Sequence, residues 1–141
     1  MLGRKDFTRD EIDRAKAVID QQLATYRTLA AATSARGDAE AALAAFEAPF
    51  FDGLLLALDR CFVHRVRAVS GKDANPLNEV EVLVESLLVG DALRTNKVIK
   101  WVPESTVLGL ADCDPIALSE AQFTALADAF FTELESRFLA V

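Results

Sequence analysis

The residues best suited to chemistry lie together near the middle of the chain, in the segment Arg60-Cys-Phe-Val-His-Arg-Val-Arg67 and the loop after it. The segment contains the single histidine of the protein, and histidine is the side chain that titrates near neutral pH. Arginine suits carboxylate and phosphate ligands because it can donate paired hydrogen bonds. A ligand bound here would therefore be a small anion. The candidate contacts are Arg60, His64, Arg65, Arg67, Lys72, Asn75 and Asn78.

Arg65 also has a structural explanation. On a helix predicted from Phe50 to Ser70, this arginine falls inside the apolar face, whereas Arg60, His64 and Arg67 share a polar side. An unpaired charge in a protein core is strongly unfavourable, so Arg65 should have an acidic partner. The nearest candidates, on the next helix and in the loop before it, are Asp91, Glu79 and Asp73.

The loop has a structural explanation of its own. Gly71 can end one helix, and Asn75 followed by Pro76 is typical of the start of another. Asn78 can bond to nearby backbone. His64 has no serine or cysteine partner at a recognisable spacing, so it also fits a surface residue without a catalytic role.

Stronger chemical motifs do not occur in the sequence. One histidine is too few for the paired Glu-x-x-His motifs of di-metal bundles, and two cysteines are too few for a zinc site. No glycine-rich phosphate loop is present. Cys61 falls on an apolar helical face, and the acidic neighbours of Cys113 should hinder thiolate formation. The sequence therefore predicts no metal and no cofactor, and it favours a protein that is not an enzyme.

Length and composition predict one globular domain over residues 1–141, with 52% hydrophobic and 26% charged residues. The net charge of −7 argues against nucleic acid and anionic membranes as partners. Residues 60–100 are locally basic, with seven basic and five acidic side chains, and could face an acidic protein. The longest apolar runs are far shorter than the roughly 20 residues of a membrane span, and no apolar signal region precedes them. We therefore expect a cytoplasmic protein.

Local signals predict a mainly α-helical bundle of about four main helices. Thr8 and Glu11 fit a capping box that starts the first helix, which Gly37 would end. A short helix from Asp38 to Phe46 would be interrupted at Pro49. Helices over Phe50–Ser70 and Pro76–Asp91 would follow.

The C-terminal third predicts a short β-hairpin and a last helix. Residues 105–110 and 115–118 flank a turn at 111–114, which is typical of a hairpin. Residues 92–104 fit either a strand or an irregular segment. Ser119 and Gln122 form a second capping box. The helix after it should bury Phe123, Leu126, Ala127, Phe130, Phe131, Leu134 and Phe138.

Apolar residues on the outer helix faces point to a protein partner. Leu56 and Val63 lie seven apart opposite the core face of one predicted helix, and Val82 and Val89 repeat the pattern on the next. Trp101 is a further candidate interface anchor. A homodimer is the usual form of such an interface, so we expect a homodimer.

Several segments resemble an uncharacterised family of small actinobacterial proteins. The likeness lies in Asp59-Arg-Cys-Phe-Val-His-Arg-Val-Arg67, in Gly71-Lys-Asp-Ala-Asn-Pro-Leu-Asn-Glu-Val80 and in Asn96-Lys-Val-Ile-Lys-Trp-Val-Pro103. The opening residues 3–12 and the last helix are similar too, so the likeness covers most of the chain. It implies a bacterial cytoplasmic protein and assigns no catalytic residue.

Overall fold

The computed structural model describes residues 3–141, so the first two residues of the predicted domain lie outside the described part. The predicted mainly helical class is confirmed, and residues 3–141 form no β-sheet. A single 3-10 turn, Pro103–Ser105, lies in the long connection before the last helix. The α-helices are α1 (Arg9–Thr33), α2 (Gly37–Cys61), α3 (Arg67–Ser70), α4 (Pro76–Leu87) and α5 (Glu120–Phe138).

The core lies between α1, α2, α4 and α5, and it is rich in phenylalanine. Both predicted capping boxes are present, at Thr8 and Ser119, so the starts of α1 and α5 are confirmed. All seven residues that α5 was expected to bury are buried. Burying one such side chain contributes about 1.5–3 kcal/mol, so the apolar faces of these helices dominate the stability of the bundle. The aromatic side chains fully removed from solvent are Phe7, Phe51, Phe62, Phe123, Phe130 and Phe138.

The sequence predicted two helices where the structure has one, α2, and the predicted start and end of this region are also wrong. Gly37 begins α2 and does not end α1, because Ala35 makes the turn between the helices with a φ of 70°. Pro49 lies inside one continuous helix. It occupies an exposed position, where water can satisfy the carbonyl that loses its partner. The helix ends at Cys61 and does not continue to Ser70, since the chain turns at His64 with a φ of 65°.

The predicted β-hairpin is not seen. Its turn at residues 111–114 does form, through a 3.0 Å bond from Asp114 N to Ala111 O. The segment after the turn pairs instead with the chain that follows α4, where Ile116 N donates to Asp91 O at 2.7 Å. That pairing is possible because α4 ends at Leu87, four residues before its predicted end. Leu88, the first residue after the helix, is exposed. Residues 92–104 are irregular apart from isolated bridges at Ala92 and Lys100 and the start of the 3-10 turn at Pro103.

Helices α1 and α2 form an antiparallel hairpin joined by residues 34–36. The buried residues of α2 begin only at Phe51, so its first half extends away from the core together with the end of α1. By length and composition, α2 is also apolar enough to cross a membrane, and 22% of its most apolar window is buried in the fold. The first half of α2 therefore presents apolar surface that the rest of the chain leaves uncovered.

The residues before α1 are fixed by a charged cluster. Arg4 donates two hydrogen bonds to Glu11, at 2.8 and 3.0 Å, and Thr8 N donates a third at 2.8 Å. These donors stabilise the ionised carboxylate, and the Arg4 bonds contribute most. They lower the pKa of Glu11 from its ordinary value of 4.5 to about 2.

Glu11→Gln should therefore change how the stability of the protein depends on pH. A lowered carboxylate pKa contributes stability above the ordinary pKa and loses it as the pH falls toward 2. Because the side chain is about one-third exposed, we expect the variant to lose only about 1 kcal/mol at pH 7. Urea unfolding at pH 7 and near pH 2 measures this difference, most of which should be lost at the lower pH. An equal deficit at both pH values would contradict it. Asp10→Asn, another first-turn carboxylate, is the control.

Candidate functional site

The segment from Arg60 to Arg67 is a turn rather than one helical face. Phe62 caps the end of α2 and is buried. His64 takes a left-handed backbone conformation, and its carbonyl accepts a 2.6 Å bond from Arg4 N. The predicted alignment of Arg60, His64 and Arg67 on one polar side is therefore wrong. The turn separates these side chains in space.

Arg65 is the most buried cation of the segment, with a side chain only 5% exposed. It donates to Asp59 Oδ1 at 3.0 Å and to the carbonyls of Phe62 and Leu77 at 2.9 and 3.5 Å. Its guanidinium lies 5.3 Å from the centre of the Phe130 ring. The expected buried ion pair is present, but the three expected partners were wrong. Asp59, one turn before the end of α2, holds the arginine because the chain folds back after Cys61.

Arg67, the first residue of α3, is also engaged within the chain. It donates to Gly71 O at 3.2 Å, to Asn78 Oδ1 at 2.9 Å and to Glu81 Oε2 at 2.5 Å. These bonds tie α3 to the first two turns of α4. The three bonds use three of the five N–H donors of the guanidinium, which leaves two donors for a carboxylate or phosphate.

The two candidate asparagines build the loop between α3 and α4. Asn75 caps α4 as expected, accepting from Leu77 N at 3.0 Å and Asn78 N at 3.2 Å. The side-chain amide of Asn78 donates to three carbonyls, those of Ser70, Gly71 and Asp73, at 3.2, 3.1 and 2.7 Å. Both asparagines are buried. Their hydrogen-bonding groups therefore serve the fold.

The other three candidates, Arg60, His64 and Lys72, are exposed. None of them forms an ion pair with another residue of 3–141 within 4 Å. Of the seven predicted contacts, only His64 and Arg65 line a common groove. The seven predicted contacts therefore fall into two groups. Four are bonded within the chain, namely Arg65, Arg67, Asn75 and Asn78, and the other three lie apart on the surface.

That groove lies between the end of α2 and α4 and has a volume of about 330 Å³. Its three carboxylates come from Asp59, Glu81 and Glu85, and its one buried cation, Arg65, already has partners. An anion that entered the groove would meet more negative charge than free donors. The remaining lining residues are Val63, His64, Val84 and Leu88.

Glu79 has a role that the sequence did not reveal. It is 1% exposed, and its carboxylate accepts from Val107 N at 2.7 Å and Leu108 N at 3.0 Å. Burial raises the pKa of Glu79 above its ordinary value, and the two backbone donors partly oppose that rise. This carboxylate therefore fixes the segment before the 111–114 turn to α4, in place of the predicted hairpin.

Neither cysteine has the surroundings of an activated nucleophile. Cys61 and Cys113 are both free and exposed. The carboxylate of Asp112 accepts from the Cys113 thiol and raises its pKa, as the acidic turn predicted. Partial desolvation of the Cys61 sulfur by its neighbours raises its pKa as well. Both shifts reduce the thiolate fraction and hence the reactivity.

A second candidate site is an apolar surface along the α1–α2 hairpin, which we call the hairpin face. Two shallow grooves, of about 280 and 410 Å³, run along it, and no charged side chain of the described residues lines either one. Leu29 and Phe46 are 46% and 45% exposed there. The hairpin face consists of Val18, Gln22, Leu29 and Thr33 on α1, and of Ala39, Ala42, Leu43, Phe46, Pro49, Phe50, Gly53 and Ala57 on α2.

The spacing of the hairpin face is that of a helix packed on another helix. Along α2, residues 39, 42, 46, 49, 53 and 57 follow in steps of three and four. The apolar pairs expected to mark an interface lie elsewhere. Val82 is buried in the core, and Trp101 is partly buried with its Nε1 bonded to Leu110 O at 2.9 Å. Leu56 and Val63 are half-buried, and only Val89 is largely exposed.

Comparison with known proteins leaves the function to be argued from the chain itself. No family model, no curated protein and no solved structure matches the sequence or the fold at significance. The contacts and charges of the two candidate sites are therefore the basis of any assignment.

Proposed function

We propose that this protein is a non-enzymatic helical interaction domain that forms a homodimer through the hairpin face. The observation that carries the proposal is the charge-free apolar surface of α1 and α2, which the fold leaves uncovered. Packing two hairpins against each other gives a four-helix bundle and removes that surface from water. Interfaces of this kind are usually closed by two-fold symmetry.

A second copy fits the hairpin face better than lipid does. Helices that lie on membranes are typically flanked by lysine and arginine, whereas the charges on the first part of α2 are mostly acidic. Two of these acids hold the start of α5. Glu47 accepts from Glu120 N at 3.0 Å and Asp52 accepts from Leu118 N at 3.2 Å. Insertion of α2 into a bilayer would break both contacts and bury their carboxylates.

The alternative function, binding of a small anion at Arg60–Lys72, has weaker support. Arg65 and Arg67 are bonded within the chain, and the adjoining groove contains three carboxylates. The same contacts weaken the case for an acidic protein partner at this segment. Binding of nucleic acid is disfavoured by the net charge of −7. A cytoplasmic location stays a prediction.

The double variant Leu29→Glu, Phe46→Glu tests the proposal. Placing charges in the apolar interface should weaken dimerisation at least tenfold, which corresponds to about 1.4 kcal/mol. Both side chains are half-exposed, so the helical circular dichroism of the variant should match that of the wild type. Light scattering over the micromolar range measures the mass. Val98→Glu, at an equally exposed apolar residue outside the hairpin face, is the matched control and should stay dimeric.

Three results would overturn the proposal. One is a wild-type protein that remains monomeric throughout the concentration range. Another is dissociation of the Val98→Glu control while the hairpin variant stays dimeric. The third is a monomer that co-floats with lipid vesicles and loses this binding in the Leu29→Glu, Phe46→Glu variant, which would show that the hairpin face binds a membrane.

A further inference from the structure

The α2 side of the hairpin face carries an exposed phenylalanine and an exposed glycine, seven residues apart. Phe46 projects from the surface and is half-exposed. A Cβ added at Gly53 would meet no atom within 4 Å, so the space above this residue is open. On an α-helix, seven residues correspond to about 10 Å along the axis. The face thus combines a protruding phenylalanine and a recess at Gly53, which lines the groove of about 410 Å³.

Charges of opposite sign stand at the two ends of the same helix. Asp38 is exposed in the first turn of α2, and Arg60 is exposed in the last turn. Within residues 3–141, neither forms an ion pair. On the helical repeat, Arg60 continues the row of the hairpin face and Asp38 borders its start.

We propose that two copies pair with their α2 helices antiparallel, about a two-fold axis between Pro49 and Phe50. Positions equally far from that point then meet, so Phe46 of each copy fills the recess at Gly53 of the other. The same register places Asp38 of one copy opposite residue 61 of the other, one residue and about 1.5 Å along the axis from Arg60, whose long side chain can reach it. The inference rests on the proposed homodimer and adds its orientation, its register and a role for Arg60 as a residue that determines pairing.

A parallel pairing would lose both complementarities. It would place Phe46 against Phe46 and leave the recess at Gly53 empty. The residues that line the recess would then lack dispersion contacts with the other copy. It would also place Asp38 against Asp38 and Arg60 against Arg60, and like charges across an interface are unfavourable. In a symmetric dimer each antiparallel contact occurs twice, so both effects are doubled.

A charge exchange tests the register. Asp38→Arg and Arg60→Asp should each raise the dissociation constant about five- to tenfold, because each places like charges together twice. The double variant Asp38→Arg, Arg60→Asp restores opposite charges and should return to within about twofold of the wild type. Sedimentation equilibrium measures the three constants. A double variant no tighter than the weaker single variant would overturn the proposal.

Cross-linking tests the orientation directly. In a background of Cys61→Ser and Cys113→Ser, Ala42→Cys and Ala57→Cys lie equally far from the proposed axis. Within one copy they are 15 residues apart on the helix, about 22 Å, so they cannot bond to each other. Mild oxidation of the double-cysteine variant should give a covalent dimer, and neither single cysteine should. Covalent dimers formed as readily by Ala42→Cys alone would indicate parallel packing.

The outcomes separate this inference from the proposed function. A wild type that is dimeric by light scattering, without cross-linking between positions 42 and 57, would leave the homodimer standing and overturn the antiparallel register. A monomeric wild type would overturn both.

Gly53→Leu adds a third measurement. The leucine side chain has room in the monomer, so the fold should be unchanged, but it fills the recess that Phe46 of the other copy would occupy. Dimerisation should weaken more than about tenfold, whereas Ala41→Leu, at an exposed position off the face, should not change it.

Discussion

Arg65→Ala is expected to lower the free energy of unfolding by about 3 kcal/mol or more. The substitution removes the partner of Asp59, whose side chain is only 20% exposed, and strips donors from the Phe62 and Leu77 carbonyls. A carboxylate left in such surroundings keeps its desolvation penalty without the ion pair that offset it. The contact of the guanidinium with the Phe130 ring is lost as well.

Urea unfolding followed by circular dichroism measures the effect of Arg65→Ala, at one protein concentration throughout. Arg94→Ala, which truncates an exposed arginine, is the control and should stay within about 0.5 kcal/mol of the wild type. Replacing the pair with apolar residues, as in Asp59→Leu, Arg65→Met, should recover most of the loss because no charge is then left unpaired. An Arg65→Ala curve that coincides with the wild type would show that the pair contributes nothing.

Asn78→Asp should be nearly as damaging at neutral pH, with a loss of about 3 kcal/mol. The change keeps the shape of the side chain but replaces its amide donor with an acceptor. Three carbonyls now bonded to that amide, from Ser70, Gly71 and Asp73, would then face a carboxylate oxygen in a buried site. The connection between α3 and α4 should therefore open.

The loss in Asn78→Asp should shrink as the pH falls. Burial and the three facing carbonyl oxygens favour the protonated carboxyl group, which can donate one hydrogen bond, whereas the single bond from Arg67 favours the charged form. Because the carbonyls outnumber that bond, we expect the pKa of the new carboxyl to be raised in the folded state, which restores stability at low pH. Thermal melts at pH 7 and pH 4 measure this trend. Asn96→Asp is the matched control. The bonds that Asn96 Oδ1 accepts from Val98 N and Ile99 N survive the change. The exposed 3.3 Å bond from Asn96 Nδ2 to Glu85 is lost, so the control should lose less than about 1 kcal/mol.

The parts of the fold that could be predicted depend on local signals. Thr8, Asn75 and Ser119 cap helices through bonds to residues two or three positions away, so a short stretch of sequence contains the whole motif. The apolar period of α5 likewise placed every one of its buried residues. The helix caps and the apolar period of α5 do not depend on how distant parts of the chain fold.

The errors come from turns and pairings without a local signal. Ala35 and His64 take left-handed conformations. Glycine or asparagine at these positions would have indicated such a turn in the sequence, but the chain has an alanine and a histidine there. The pairing of residues 91–93 with 114–116 joins segments more than twenty residues apart. It depends on α4 ending early at Leu87, and after Pro76 no glycine or proline follows until Gly90, three residues beyond the end of the helix.

The candidate sites illustrate the same limit. The helical wheel identified Arg65 as a buried cation, but it assumed a helix through residue 65 and so sought the partner on other elements. Asp59 becomes available only because α2 ends at Cys61. The hairpin face was hidden because Pro49 indicated a break, which divided one continuous row of small and large apolar residues into two unrelated pieces.

The buried carboxylate of Glu79 has a consequence for how the protein moves. Residues 103–110 contain one short 3-10 turn and no buried side chain, and two of their backbone amides, those of Val107 and Leu108, donate to Glu79. Such a segment should unfold locally, as a unit, without melting the bundle. Amide exchange at these two residues should then be faster than in α5. The bundle of α1, α2, α4 and α5 would therefore stay folded while this segment repeatedly opens and closes.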